Sequence, residues 1–366
     1  MSANEALPAY QYSPLTSPDE TRILILEPST DPTSPLVVSI KQAGLLDFTD
    51  TYEALSYTWG APHLIYTLQC DGAQIPITES LDRALRALRN HFTRRTLWAD
   101  GVCINQADEH DKTTQIPQMF KIFRCAMRVV VWLGVDEGSE EEETVKRLSR
   151  LSRSSVENME PVWDELWIDK KASLSVARIE KVLALPWFQR MWIIQEVVSS
   201  LDVVVLCGTA EIQWARFVIA LRMFRKRIGD IEGVDSPEDR LQERLLILKI
   251  DRRLMGITQI FDLWKTHGNL NESSMQDVSE SDVMADRTRP GGIIELMNGF
   301  AHHQCSDERD RIFALVGLAS DVSTSPLPRG VQRTVRNLLP VTVDYAESVQ
   351  QVYRRFAGGF EKSSRL

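Results

Sequence analysis

RVVVWLG (128–134) is an unbroken apolar run that opens on an arginine and closes on a glycine. No polar residue interrupts it between Val129 and Leu133, so a strand made from it must be covered on both faces. That is the pattern of a strand inside a parallel sheet with helices packed on it. Upstream, the spacing of Ile116, Met119, Phe120, Phe123 and Met127 predicts an apolar helix stripe, and LWADGVCINQ (97–106) reads as the strand before it. Earlier still, Ser80 opens a helix with Leu81, Ala84, Leu85 and Leu88 on one face at i, i+3, i+4, i+7. YEALSYTWG (52–60) is a strand that stops at Trp59-Gly60-Ala61-Pro62.

Downstream, residues 135–143 end in four consecutive glutamates, read as a solvated loop or a helix start. A helix runs to Leu185, Pro186 breaks it, WFQRMWIIQEVVSS (187–200) starts another, and Leu201 to Gly208 is strand-like. Strands and helices therefore alternate, the order of an α/β fold with a mainly parallel sheet. Its core strands are expected around 52–58, 97–103, 129–133 and 203–207, with ligands at their C-terminal edge.

The flanks complete the plan. Residues 1–20, with Pro8, Pro14 and Pro18, form a flexible lead-in, and the runs Arg22–Leu26 and Leu36–Ile40 form a hairpin-like pair. The α/β domain covers 21–210, and 211–366 is a helical extension packed on it. In that extension Ser236-Pro237-Glu238-Asp239 opens a long helix to about His267. A surface loop is expected over 267–292, then helices over 293–302, 307–318 and 344–357.

Composition excludes several classes. The chain has 366 residues, 43% hydrophobic and 25% charged, with Lys plus Arg 42 against Asp plus Glu 51 and a net charge of −9. An acidic chain without a basic stripe argues against nucleic-acid binding. No run of uncharged apolar residues is long enough to span a membrane, and the N-terminus lacks the basic and apolar regions of a secretory signal. Five cysteines without a C-x-x-C pair read as reduced buried thiols, which points to the cytoplasm. Phosphate-loop, dinucleotide, zincin and nucleophile-elbow motifs are all missing. His302, His303, Cys305, Asp307 and Asp310 read as a charged helix start, so no metal site is expected.

Four blocks carry a resemblance: YEALSYTWG (52–60), LWADGVCINQ (97–106), VVVWLG (129–134) and WFQRMWIIQE (187–196). With DERDRIFALVGL (307–318) and DYAESVQQVYRRFA (344–357), the ordered set resembles the fungal heterokaryon-incompatibility (HET) domain. The resemblance implies a fungal protein of non-self recognition and programmed cell death. The HET domain is in turn distantly similar to the Toll/interleukin-1 receptor (TIR) domain, which implies a TIR/flavodoxin-like sheet. Catalytic TIR domains carry a W-x-x-x-E pattern whose glutamate cleaves NAD, and Trp192-Ile193-Ile194-Gln195-Glu196 resembles it. What the resemblance implies is Glu196 as the catalytic carboxylate, NAD as a substrate and no prosthetic group.

Each candidate also has a plainer reading. Glu196 sits among apolar residues, and a buried acid needs a partner, Arg190 or an arginine elsewhere. Trp192, one helical turn earlier, is a stacking surface for a flat ring or a core residue. Ser56, Tyr57, Trp59 and Gly60 would shape the pocket, though Gly60 also suits a tight turn. Asp100 and Asn105 follow the next strand, where Asn105 or Asp108 could cap a helix instead. Three function classes stay open: an NAD-cleaving effector, a non-catalytic module that signals by homotypic contacts, and a small-molecule enzyme of secondary metabolism.

Overall fold

The apolar run becomes β7 (Arg128–Trp132), which lies inside the sheet with β3 (Glu53–Tyr57) on one side and β8 (Val203–Cys207) on the other, both parallel to it. Val129 to Trp132 are all buried, as an uninterrupted apolar strand requires. This is a computed structural model that describes residues 7–153, 172–229, 237–272, 291–323 and 338–363. The other strands of the sheet are β1 (Glu20–Leu26), β2 (Leu36–Gly44), β4 (Tyr66–Cys70), β5 (Ala73–Ile77), β6 (Arg95–Trp98) and β9 (Ala210–Gln213). Their spatial order is β5-β4-β2-β1-β6-β3-β7-β8-β9. The central block β6-β3-β7-β8 is parallel. Toward the ends the sheet is mixed: β1 runs antiparallel to β2 and β6, β4 to β5, and β9 to β8. The class is α/β, as the alternation of strands and helices predicts.

Helices α1 (Glu79–Leu88), α2 (Asp100–Cys103), α3 (Glu109–Gln115), α4 (Met119–Cys125), α5 (Glu140–Leu151), α6 (Ala172–Leu183) and α7 (Ile193–Val198) connect these strands. α1 packs on β2, β3 and β4, while α5 packs on β8 and β9. After β9 come α8 (Trp214–Gly229) and the long α9 (Pro237–Glu272), then α10 (Ile293–Gly299), α11 (Asp310–Phe313) and α12 (Val349–Ser363). α9 packs against α6, α7 and α8, which joins the helical region to the sheet. Among the described residues, no helix is long and apolar enough to cross a membrane.

Several local expectations need correction. The strand expected over 97–103 ends at Trp98, and Asp100–Cys103 turns helical. The cap of α1 is Thr78, whose side chain accepts the Leu81 N–H, while Ser80 instead donates to the Thr58 carbonyl. Met127 leaves its stripe and is exposed, because α4 ends at Cys125. The four glutamates do begin α5, but Glu142 is fully buried and not solvated. The lead-in is anchored from residue 7 onward. Ala9 bridges to Gln74 beside β5, and the Tyr12 hydroxyl donates to the Val102 carbonyl at 2.8 Å. α9 runs past His267 to Glu272, whereas its expected cap Ser236 lies outside the described residues, as do residues 1–6 and 273–290. Within 307–318 only Asp310–Phe313 is α-helical, and the last helix starts at Val349, after a Ser348 and Gln351 capping pair.

Candidate functional site

Parallel strands put their C-termini on one edge, so the register that aligns Ala54 with Trp98 and Tyr57 with Trp132 brings the ends of β3, β6 and β7 together. Pro186 breaks the preceding helix into a 3₁₀ turn (Pro186–Gln189), and α7 then carries Glu196 to this region. Glu196 is 2% exposed. Its Oε1 accepts Arg190 Nη2 at 3.0 Å, and its Oε2 accepts Arg190 Nη1 at 3.2 Å and the Ser56 hydroxyl. Ser56 Oγ in turn accepts Trp187 Nε1 at 2.8 Å. Burial alone would lower the Arg190 pKa, but Glu196 and then Asp100 outweigh it and hold the guanidinium above its ordinary value.

Asp100 heads α2 beside this pair. It accepts the Trp59 indole N–H at 2.8 Å, its own Gly101 N–H at 2.7 Å and the Tyr57 hydroxyl. Burial raises its carboxyl above the usual range, Arg190 and Trp59 oppose that, and Glu196 adds to it. Burial, and then Asp100, push the Tyr57 phenol up as well. A Cβ at position 101 would stand 2.7 Å from the Tyr57 hydroxyl, so only glycine admits this approach. Gly60, at φ +71°, turns the chain away after Trp59, which is 39% exposed and forms the outer lip.

The structure thus brings Ser56, Tyr57, Trp59, Asp100 and Glu196 into one linked cluster, with Gly60 at its rim. It does not bring in the other two candidates. Trp192 directs its indole N–H to Asp310 Oδ2 at 3.0 Å, and the Tyr345 hydroxyl holds Asp310 Oδ1 at 2.5 Å. Asn105 sits in a local turn, accepting the Ala107 N–H at 3.2 Å, while Asp108 caps α3. Glu196 therefore pairs directly with Arg190 through both its oxygens, while Asp100 acts on the same guanidinium by charge alone. A cavity of 490 Å³ lies elsewhere on the sheet, between Arg83, Trp132, Leu206 and Glu211. Its arginines are already paired, Arg83 with Asp136 and Arg128 with Asp202.

Sequence reasoning missed the strap that holds this edge from outside. Residues 189–191 form a short parallel bridge with Gln304, through Met191 N–H to the Gln304 carbonyl at 2.8 Å and Gln304 N–H to the Gln189 carbonyl at 2.6 Å. Gln304 and Asp310 lie more than a hundred residues from their partners at 189–192, and no local pattern signals them. His303, next to Gln304, is buried with Nδ1 unpartnered among the described residues. Among those residues no group of three or more His, Cys, Asp or Glu is arranged to hold a metal ion.

The segment that carries this edge is similar to known proteins. Residues 52–196 match the family model described as "Heterokaryon incompatibility protein (HET)", an interval that opens one residue before β3 and closes on Glu196. The chain is also similar to "Heterokaryon incompatibility protein 6, OR allele" of Neurospora crassa, at 27% identity over 348 residues, covering 82% of this chain and 47% of that protein. It spans about half the length of this curated relative. No solved structure matches, so the likeness to TIR and flavodoxin sheets rests on the residues alone. The ordered blocks, the α/β sheet they build and the two matches agree: residues 52–196 of this chain are similar to the heterokaryon-incompatibility (HET) domain.

Proposed function

We propose that the chain acts in heterokaryon incompatibility and that the Glu196 cluster is its reactive centre, cleaving the nicotinamide–ribose bond of NAD to trigger cell death. The observation that carries this reading is the buried Glu196–Arg190 pair at the ends of parallel strands, with the Asp100 carboxyl close enough to act on it by charge. The nicotinamide of NAD is already cationic and leaves as a neutral ring without a general acid. A single carboxylate beside the ribose then stabilises the oxocarbenium charge that develops, and solvent water adds to that ribose carbon and loses a proton to complete the hydrolysis. Arg190 now occupies the place of that cation. NAD must displace it from the carboxylate for Glu196 to act. Trp59 at the lip offers a face for a flat ring.

One observation favours a second reading, a non-catalytic module that works by assembly. Both oxygens of Glu196 are already engaged, by three donors. The two readings part in one preparation of the purified full chain, incubated with NAD over a range of protein concentrations. Release of nicotinamide in proportion to protein supports cleavage. Sedimentation showing assembly without any release supports the module.

A further inference from the structure

α9 is apolar on two sides. Successive helical residues advance by about 100°, so Ile250, Leu254, Ile257 and Phe261 share one face, and all four are buried. Leu241, Leu245, Leu248 and Met255 lie on the opposite face and are 61%, 52%, 63% and 55% exposed. Their spacing of four, three and seven is that of a coiled-coil seam, with Arg252 at the position between Leu248 and Met255. The seam extends about 21 Å at 1.5 Å per residue. A stripe of large apolar side chains left in solvent marks an interaction surface.

Charge decides what fits it. Arg244 and Lys249 flank the seam and Arg252 sits within it, all three exposed, in a chain whose net charge is −9. Among the described residues, the nearby carboxylates are paired, Asp251 with Arg225 and Asp262 with Arg222. A second copy would set basic residues against basic residues. A lipid surface would have to bury Arg252 in the middle of the apolar line. An acidic helix relieves both problems, because a carboxylate opposite Arg252 pairs with it and fixes the register.

We propose that the outer face of α9, from Leu241 to Met255, is a docking surface for an acidic amphipathic helix of another protein, with leucine-class residues at the same spacing and a carboxylate opposite Arg252. This holds whether or not the Glu196 cluster cleaves NAD.

The test uses the full chain and a fluorescein-labelled synthetic helical peptide of roughly 18 residues, enough to cover the seam. The peptide carries leucines at seam positions and glutamates beside them; a matched peptide carries lysines in place of the glutamates. Anisotropy titration is expected to show the glutamate peptide binding at least about tenfold tighter than its match. Leu245→Ser with Leu248→Ser should weaken it by at least about tenfold with an unchanged melting curve, since both side chains face solvent. Arg252→Glu should shift the preference toward a peptide with lysine at the facing position. Equal binding of both peptides, or indifference to the leucine changes, overturns the proposal. Leucine-dependent dimers in sedimentation, or leucine-dependent binding to phosphatidylcholine–phosphatidylserine vesicles, overturn it in favour of a second copy or a lipid surface.

Discussion

Ser56 serves two neighbours at once, accepting from Trp187 and donating to Glu196. Ser56→Ala therefore strands a buried indole N–H and removes one of the three donors to a buried carboxylate. The expected loss is about 1–3 kcal/mol, read as a lower midpoint in urea. A second buried pair, Arg22 with Asp111 at 2.9 Å, ties β1 to α3, and Arg22 also donates to the Cys103 and Ser13 carbonyls. Because Arg22 is 2% exposed, Asp111→Ala leaves a buried unpaired cation and is expected to lose about 3–5 kcal/mol. Of these partnerships only one was legible in advance. Arg190 stands six residues before Glu196, close enough to be named as its partner. Ser56, Trp187 and Asp111 meet their partners through sheet register and loop packing, which no local spacing encodes.

At the scale of elements, β7 and β8 were readable because each is a short apolar run punctuated by a glycine, at positions 134 and 208, and β3 because its segment stops at Trp59-Gly60. The turn at Asp100–Cys103 was not. Its Val102-Cys103-Ile104 run suits a strand, and only the tertiary position of Asp100 makes it a helix start. The acidic start of α5 hides a structural tie. Glu142 accepts the Gly138 and Thr209 N–H groups and the Thr209 hydroxyl, pinning the helix to the turn between β8 and β9. Lys146 and Thr209 hold its pKa down to about 2 from 4.5. A depressed carboxyl adds stability above the unfolded value of 4.5, which is lost as pH falls toward 2. Glu142→Gln is expected to flatten that acid limb in pH-dependent denaturation.

Across the whole molecule, the late segment around residues 303–310 packs on the end of the matched interval 52–196 and holds its last turn through Gln304 and Asp310. His303 makes this strap acid-sensitive. Burial, and then His302, lower its pKa from 6.5 to about 4, so the unfolded chain binds the proton first. Stability should fall as pH drops from 6.5 toward 4, and His303→Leu should remove that slope in denaturation curves. The most direct measurement bears on Glu196 itself: nicotinamide release by wild type and by Glu196→Gln, each normalised to folded protein by circular dichroism. The amide keeps the side chain's shape but cannot neutralise a developing cation. Release by the wild type, cut by about 10²–10³ in the variant, is the expected result. Release at the wild-type rate by a folded Glu196→Gln protein would contradict the assignment of Glu196 as the catalytic carboxylate.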